Sequence, residues 1–169
     1  PVTVAVWDDG TRAAAEHEDW IRETCARGRI VLVADPLGVG AVRPYPLGGE
    51  DLSGRFGTMY VLASELIRLG DSLCAMRCYD VLRAVEMAGE FEDASGEDTE
   101  LYGCGAGSVY AKIAALLAPR RTPVQTEKEF GSFSELVQTK YYATETLMEI
   151  LLPGILHHLD TGDLDSWNI

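Results

Sequence analysis

The chain alternates short apolar runs with longer segments in which apolar residues recur every three or four positions. The short runs contain many β-branched residues, which is typical of strands buried on both faces of a parallel sheet. Four such runs lie at Val2–Trp7, Ile30–Ala34, Thr99–Tyr102 and Thr122–Thr126. Helical periodicity is found at residues 11–27, with Thr11 as a candidate N-cap, at 58–88, with a break expected at 70–72, and at 108–118 and 132–159. A long loop is expected at residues 41–57, and an acidic connection at 89–100. This alternation predicts an α/β fold, a three-layer sandwich whose central sheet is mostly parallel and has about four strands.

A turn of small residues, Gly103-Cys104-Gly105-Ala106-Gly107, separates the third strand from its helix. Glycines at the start of a helix let backbone approach other backbone or a ligand closely. Two known motifs use this geometry: the Gly-x-Ser-x-Gly nucleophile elbow and the Gly-x-Gly-x-x-Gly dinucleotide loop. In the first motif the nucleophile position falls on Gly105, and in the second the third glycine falls on Ser108. The turn alone leaves both interpretations open.

The size and charge of the chain exclude several classes of function. A length of 169 residues suits one domain with a sizeable core. The net charge of −13 argues against nucleic-acid binding, which depends on neutralising phosphates, and against an anionic membrane surface. No run of about 20 apolar residues occurs in the sequence, so we expect no membrane span.

The cysteines and histidines do not form a metal-binding pattern. The four cysteines contain no Cys-x-x-Cys pair, and we expect them to be reduced and buried. Cys74 and Cys78 share a helix face, but no second pair of ligands accompanies them. His157 and His158 are adjacent, so they face different directions and cannot chelate one metal together. The sequence therefore predicts no metal site and no cofactor.

Several stretches follow one another in the order found in a known enzyme superfamily. They are Val2–Gly10, Val31–Gly40, Tyr79–Ala84, Leu101–Gly107 and Phe133–Asp163. Through them the chain resembles the α/β-hydrolase superfamily, and within it the acetyl-xylan-esterase-like and dienelactone-hydrolase-like proteins. The resemblance implies that Val2–Gly10 is a strand followed by a loop that contributes to the oxyanion hole, and that Leu101–Gly107 is the nucleophile elbow.

The chain departs from this superfamily at the positions that carry its chemistry. The nucleophile position is Gly105, which has no attacking atom, and the family's catalytic acid and histidine follow later strands. The side chain of Ser108 should point away from Gly105, the apex of the turn, and the thiol of Cys104 should be buried and inert. The resemblance thus implies an esterase-like domain without catalytic residues, which takes a small-molecule ester or carbohydrate ligand. Its candidate binding residues are Asp8, Asp9, Gly103, Cys104, Gly105, Ala106 and Gly107.

Two alternative functions stay open at this stage. An active ester hydrolase would require a nucleophile that the sequence does not reveal. A nucleotide-binding module would use the glycine turn for phosphate and Glu127, which lies about 20 residues further on, for the ribose. Against the second alternative, the turn follows two complete strand–helix units, whereas the dinucleotide loop usually opens its domain.

The resemblance also implies that residues 1–169 are one domain truncated at both ends, with the middle four strands of an eight-stranded sheet. Their expected spatial order is Val31–Ala34, Val2–Trp7, Thr99–Tyr102, Thr122–Thr126. Both outer strands would then be open, and we expect self-association or a covering partner segment. A targeting segment would lie upstream of Pro1, so the sequence predicts no compartment.

Overall fold

The computed structural model describes residues 1–45, 56–90, 98–139 and 144–166, and it contains a four-stranded parallel sheet. The strands are ordered β2-β1-β3-β4, which confirms the predicted order. The predicted three-layer α/β fold is confirmed as well, with helices on both faces of the sheet. The strands are β1 (Val2–Val6), β2 (Ile30–Val33), β3 (Thr99–Cys104) and β4 (Val124–Glu127). The α-helices are α1 (Glu18–Ala26), α2 (Thr58–Arg68), α3 (Leu73–Ala88), α4 (Ala106–Leu117), α5 (Phe133–Gln138), α6 (Thr144–Ile150) and α7 (Thr161–Ser166).

The strand β1 divides the hydrophobic core into two parts because its side chains alternate between the two faces of the sheet. Val2, Val4 and Val6 pack with buried side chains of α3 and α4. Ala5, together with Trp7 beyond the strand end, packs on the opposite face with side chains that precede and begin α1. The connection from β1 to β2 therefore covers one face of the sheet, and the connections through α3 and α4 cover the other.

The turn after β2 is held by the carboxylate of Asp35. Its oxygens accept hydrogen bonds from the backbone N–H of Thr11 and of Ala41, each at 2.7 Å. A Cβ atom on Gly10 or on Gly40 would lie 2.1 Å from Asp35 Oδ1, so both positions require glycine. Through the carboxylate of Asp35, the turn at residues 35–40, which has the sequence pattern Asp-x-x-Gly-x-Gly, thus joins the loop after β1 to the loop after β2.

Several local predictions were wrong in detail. The predicted helix at residues 11–27 is a 3-10 helix, Gly10–His17, followed by α1, and Thr11 binds Asp35 instead of capping the helix. The break at residues 70–72 is confirmed, and the Ser72 side chain accepts a hydrogen bond from Ala75 N. The strand β2 is only partly buried because it lies at an edge. Much of the predicted loop at 41–57 and of the acidic segment at 89–100 lies outside the described residues.

Candidate functional site

The crevice at the carboxyl ends of β1 and β3 is the candidate site. These strands are neighbours, and the chain leaves them in opposite directions, from β1 towards β2 and from β3 towards β4. At such a switch point the two following loops diverge and leave room for a ligand. Asp8 and Asp9 follow β1, and Gly105 follows β3. The fold therefore brings together the two parts of the chain that the sequence selected.

The turn after β3 is sharper than the sequence indicated. The strand continues through Cys104 and the helix α4 begins at Ala106, so Gly105 alone reverses the chain. Its φ of 64° and ψ of −131° lie in a region that residues with a side chain rarely adopt. Two backbone hydrogen bonds hold it, from Gly105 N to Glu127 O at 3.1 Å and from Ser108 N to Gly105 O at 3.1 Å. A strained strand-to-helix turn of this type is what a nucleophile elbow requires.

The side chain of Asp8 occupies the space above this turn. Its Oδ1 accepts a hydrogen bond from the backbone N–H of Ala106 at 2.7 Å. A Cβ atom built on Gly105 would lie 2.3 Å from Asp8 Oδ2, well inside van der Waals contact. A negative carboxylate at the N-terminus of α4 is favoured by the helix dipole and satisfies one of its free N–H groups. The carboxylate of Asp8 therefore fills the position towards which a residue at the apex would point.

The glycines on either side of Gly105 allow α4 to pack closely on the sheet. A Cβ atom on Gly103 would lie 2.6 Å from the Cα of Ser108, at the start of the helix. A Cβ atom on Gly107 would lie 2.2 Å from the carbonyl oxygen of Val6, in the neighbouring strand. Both contacts are with backbone, which cannot move aside as a side chain can. Gly103 and Gly107 are therefore required by packing, whether or not a ligand binds.

Asp9 does not contact the turn. Its Oδ1 lies 3.8 Å from Arg43 Nη1, and both residues line a cavity of about 90 Å³ in the crevice. The other lining residues come from the loop after β2 and from α2, α3 and α6: Gly38, Val39, Gly40, Met59, Leu73, Arg77, Met148 and Glu149, together with Asp8. Sequence reasoning did not predict the contribution of α2, α3 and α6 to this cavity.

Three charged residues of the cavity, Arg43, Arg77 and Glu149, were not selected from the sequence, and Arg77 is the most deeply buried of them. Its side chain, on α3, is only 3% exposed, because the loop after β2, α4 and α6 pack around it. The guanidinium donates to Leu37 O at 3.0 Å and to Tyr110 Oη at 2.9 Å, and it lies 3.4 Å from Glu149 Oε1. The Tyr110 hydroxyl in turn donates to Glu149 O at 2.9 Å. This cluster joins the loop after β2 to α3, α4 and α6, and so forms the floor of the crevice.

The charges of the crevice affect the pKa of the Glu149 carboxyl. Burial raises the pKa of Glu149 above its usual value, the nearby charge of Arg77 opposes that rise, and the charges of Asp8 and Asp9 add to it. Three carboxylates thus face two arginines in a small volume. In the part of the chain that the structure describes, however, no group of three His, Cys, Asp or Glu side chains is arranged to hold a metal ion.

An aromatic cluster lies beside β1 and β3, on the face of the sheet that packs with the start of α1. Trp7 stacks on His17 with ring centroids 4.0 Å apart, and Trp20 stacks on Tyr102 at 3.9 Å. Cys104 is buried beside them, and burial raises the pKa of its thiol. Burial likewise raises the pKa of Tyr102, and it lowers that of His17. A thiol that stays protonated at neutral pH is a poor nucleophile, in agreement with the expectation that Cys104 is inert.

Ser108 and Glu127 have structural roles at this turn. The Ser108 hydroxyl donates to the carbonyl oxygen of Glu127 at 3.1 Å, and the same oxygen accepts from Gly105 N. The Ser108 side chain is therefore directed towards β4 and away from the crevice. The phosphate of a dinucleotide would have to displace Asp8 from Ala106 N.

No protein-family model matches the chain, and no curated protein shows significant similarity to it. Among the described helices, none has both the length and the apolar character that crossing a membrane would require.

Proposed function

We propose that this chain is an α/β-hydrolase-like domain of the esterase-like type that does not hydrolyse esters, a pseudoenzyme retained for binding or for structure. The observation that carries the proposal is the contact between Asp8 and the turn at Gly105. The strained geometry of a nucleophile elbow is present, but the apex has no side chain and a carboxylate occupies the space above it.

Besides a nucleophile, ester hydrolysis requires an oxyanion hole, and the contact between Asp8 and the turn opposes this as well. An acyl-transfer site needs oriented N–H donors for the oxyanion, and the first residue of the helix after the apex commonly supplies one of them. Here that donor, Ala106 N, already binds Asp8 Oδ1 at 2.7 Å. A carboxylate this close would also repel the developing negative charge of the transition state. The occupied donor and the missing nucleophile both point to lost esterase activity.

A ligand of this crevice would be small, because the cavity holds about 90 Å³. Its lining offers carboxylates and guanidinium groups, which suit the hydroxyl and carbonyl groups of a carbohydrate or a short ester. Asp9 and Arg43 at the mouth are the residues that such a ligand would reach first. The buried pair of Arg77 and Glu149 lines the floor of the same cavity, where a ligand that entered fully would contact it.

Restoring a serine at the apex is expected not to create an esterase. Gly105→Ser supplies a hydroxyl but no base, and its Cβ would collide with the carboxylate of Asp8. The wild type, Gly105→Ser, and Gly105→Ser combined with Asp8→Asn and Asp9→Asn should all turn over p-nitrophenyl acetate at the uncatalysed rate. Adding Asp8→Ala to Gly105→Ser makes room for the serine and should still give no activity.

Gly28→Ser is the matched control for this series. Gly28 also has a positive φ, of 80°, but nothing lies within 4 Å of a Cβ atom built there. It therefore reports the effect of a serine at a positive φ without the crowding at the crevice. Turnover well above background in the wild type or in Gly105→Ser would mean that a base is already in place, and the proposal would be wrong.

Nucleotides are expected not to bind. A phosphate at the N-terminus of α4 would meet the carboxylate of Asp8, which is already bound to Ala106 N. Calorimetric titration with NAD and with ATP should show no binding at millimolar ligand. A micromolar dissociation constant that is lost in Glu127→Ala would contradict this expectation and favour the nucleotide-binding alternative.

A further inference from the structure

A second cavity, of about 310 Å³, lies at the amino ends of β3 and β4, at the edge of the sheet opposite the crevice. Its lining comes from the last turn of α3, from the first residue of β3 and from residues 118–122, which follow α4. A volume of this size is within the range found for small-molecule sites. The two cavities share no lining residue, so a ligand here would not compete with one in the crevice.

The first residue of β3, Thr99, has unpaired polar groups beside this cavity. Leu101 N donates to Pro123 O at 2.8 Å, and Thr99, two residues earlier, directs its own N–H and C=O to the same side of the strand. Pro123 has no N–H, so it cannot donate to Thr99 O, as the next step of the strand pairing would require. Within the described residues, no backbone hydrogen bond joins Thr99 to residues 118–122, and the buried Thr99 Oγ1 has no partner. Buried polar groups nearly always have a partner, so this end of β3 suits a polar ligand.

The lining of the cavity carries both signs of charge. Glu86 and Glu90 come from the end of α3, where the helix dipole also favours a cation. Arg120 and Arg121 come from the segment after α4. Glu86 pairs with Arg83, whereas Glu90 and Arg120 take part in none of the ion pairs and side-chain hydrogen bonds among the described residues. Carboxylates repel an anion and guanidinium groups repel a cation, so this lining favours a ligand that carries both charges.

We propose that this cavity binds a free α-amino acid with an apolar side chain. The carboxylate of the ligand accepts hydrogen bonds from the Arg120 guanidinium and from Thr99 N, and its ammonium group donates to the Glu90 carboxylate and to Thr99 O. Val85 and Ala118, which also line the cavity, supply apolar contact for the side chain of the ligand. This site does not depend on whether the chain is an esterase-like pseudoenzyme, because it uses none of the residues of the crevice.

Titration of the isotope-labelled chain with L-leucine, followed by two-dimensional NMR, tests this site. The amide signals of Thr99 and Thr122 should shift as leucine reaches millimolar concentration, whereas those of Asp9 and Arg43, at the crevice, should not. Isocaproate lacks the ammonium group of leucine, and isoamylamine lacks its carboxylate. Each should bind more weakly than leucine by about tenfold or more, the loss expected for one charge-assisted contact.

Arg120→Gln and Glu90→Gln should each weaken leucine binding by about tenfold, because each removes the charge that faces one end of the ligand. Both side chains belong to exposed residues, so these variants should fold as the wild type does. Arg68→Gln is the matched control, because Arg68 is an exposed arginine of α2 that does not line the cavity, and leucine binding should be unchanged.

Four results would overturn the proposal. They are the absence of any shift at the Thr99 and Thr122 amides in millimolar leucine, shifts confined to the crevice, isocaproate that binds as tightly as leucine, and equal binding of leucine by the wild type and by Arg120→Gln.

Discussion

Arg77→Ala is expected to lower the free energy of unfolding by about 3–5 kcal/mol, the usual cost of removing one partner of a buried ion pair. The guanidinium is 3% exposed and contacts Leu37 O, Tyr110 Oη and Glu149 Oε1. Its loss leaves a cavity and leaves the Glu149 carboxylate without its cation. Urea unfolding followed by circular dichroism measures the change.

Arg83→Ala is the matched control, because Arg83 lies in the same helix and pairs with Glu86 at the surface. Exposed pairs of this kind contribute little, so its unfolding free energy should change by less than about 1 kcal/mol. Arg77→Lys keeps the charge but cannot reach three acceptors at once. Its unfolding free energy should lie between those of Arg77→Ala and Arg83→Ala. Equal effects of Arg77→Ala and Arg83→Ala would contradict a structural role for the buried cluster.

The loss caused by Arg77→Ala should depend on pH. Burial raises the pKa of Glu149, and Arg77 opposes this effect, so the variant should have a still higher pKa at that carboxyl. An acid whose pKa is higher in the folded state than in the unfolded state loses stability as pH rises above the unfolded pKa. The loss of unfolding free energy caused by Arg77→Ala should therefore be smaller at about pH 5 than at about pH 8. A loss that does not vary with pH would argue against an unpaired Glu149 as its cause.

Gly107→Ala should be among the most damaging of the conservative substitutions, with a loss of about 3 kcal/mol or more. The new Cβ atom would lie 2.2 Å from the carbonyl oxygen of Val6 and 3.1 Å from the Cα of Trp7. Relief would require α4 to move away from β1, which would open the core on that face of the sheet. Thermal and urea unfolding of the variant measure the loss.

Gly162→Ala tests whether the effect comes from packing or from alanine itself. Gly162 lies in α7 with nothing within 4 Å of a built Cβ atom, so alanine there should be neutral or slightly stabilising. Both substitutions add one methyl group to a glycine in a helix of this chain. If Gly107→Ala were as stable as the wild type, the close approach of α4 to β1 would not contribute to stability.

Most of the fold could be predicted from local patterns. The apolar runs of β1 and β3 and the periodicity of α3 and α4 depend on neighbours along the chain, and these elements were predicted within about two residues. The bounds of the glycine turn were less accurate, because a strand that ends in Gly-Cys has no apolar signal to mark its last residues. The order of the strands came from a family resemblance and was correct, although no comparison with known proteins tests that family.

The sequence by itself determined the class of the fold, the presence of a glycine turn after the third strand and the absence of a side chain at its apex. Each of these depends on residue types at adjacent positions. Only the tertiary structure decided that Asp8 binds Ala106 N, 98 residues away, while its neighbour Asp9 turns towards Arg43. It also decided that Arg77 is buried beside Glu149, because the direction of a helical side chain becomes definite only when α4 and α6 pack against it. Contacts between residues so distant in sequence leave no periodic signal in the chain.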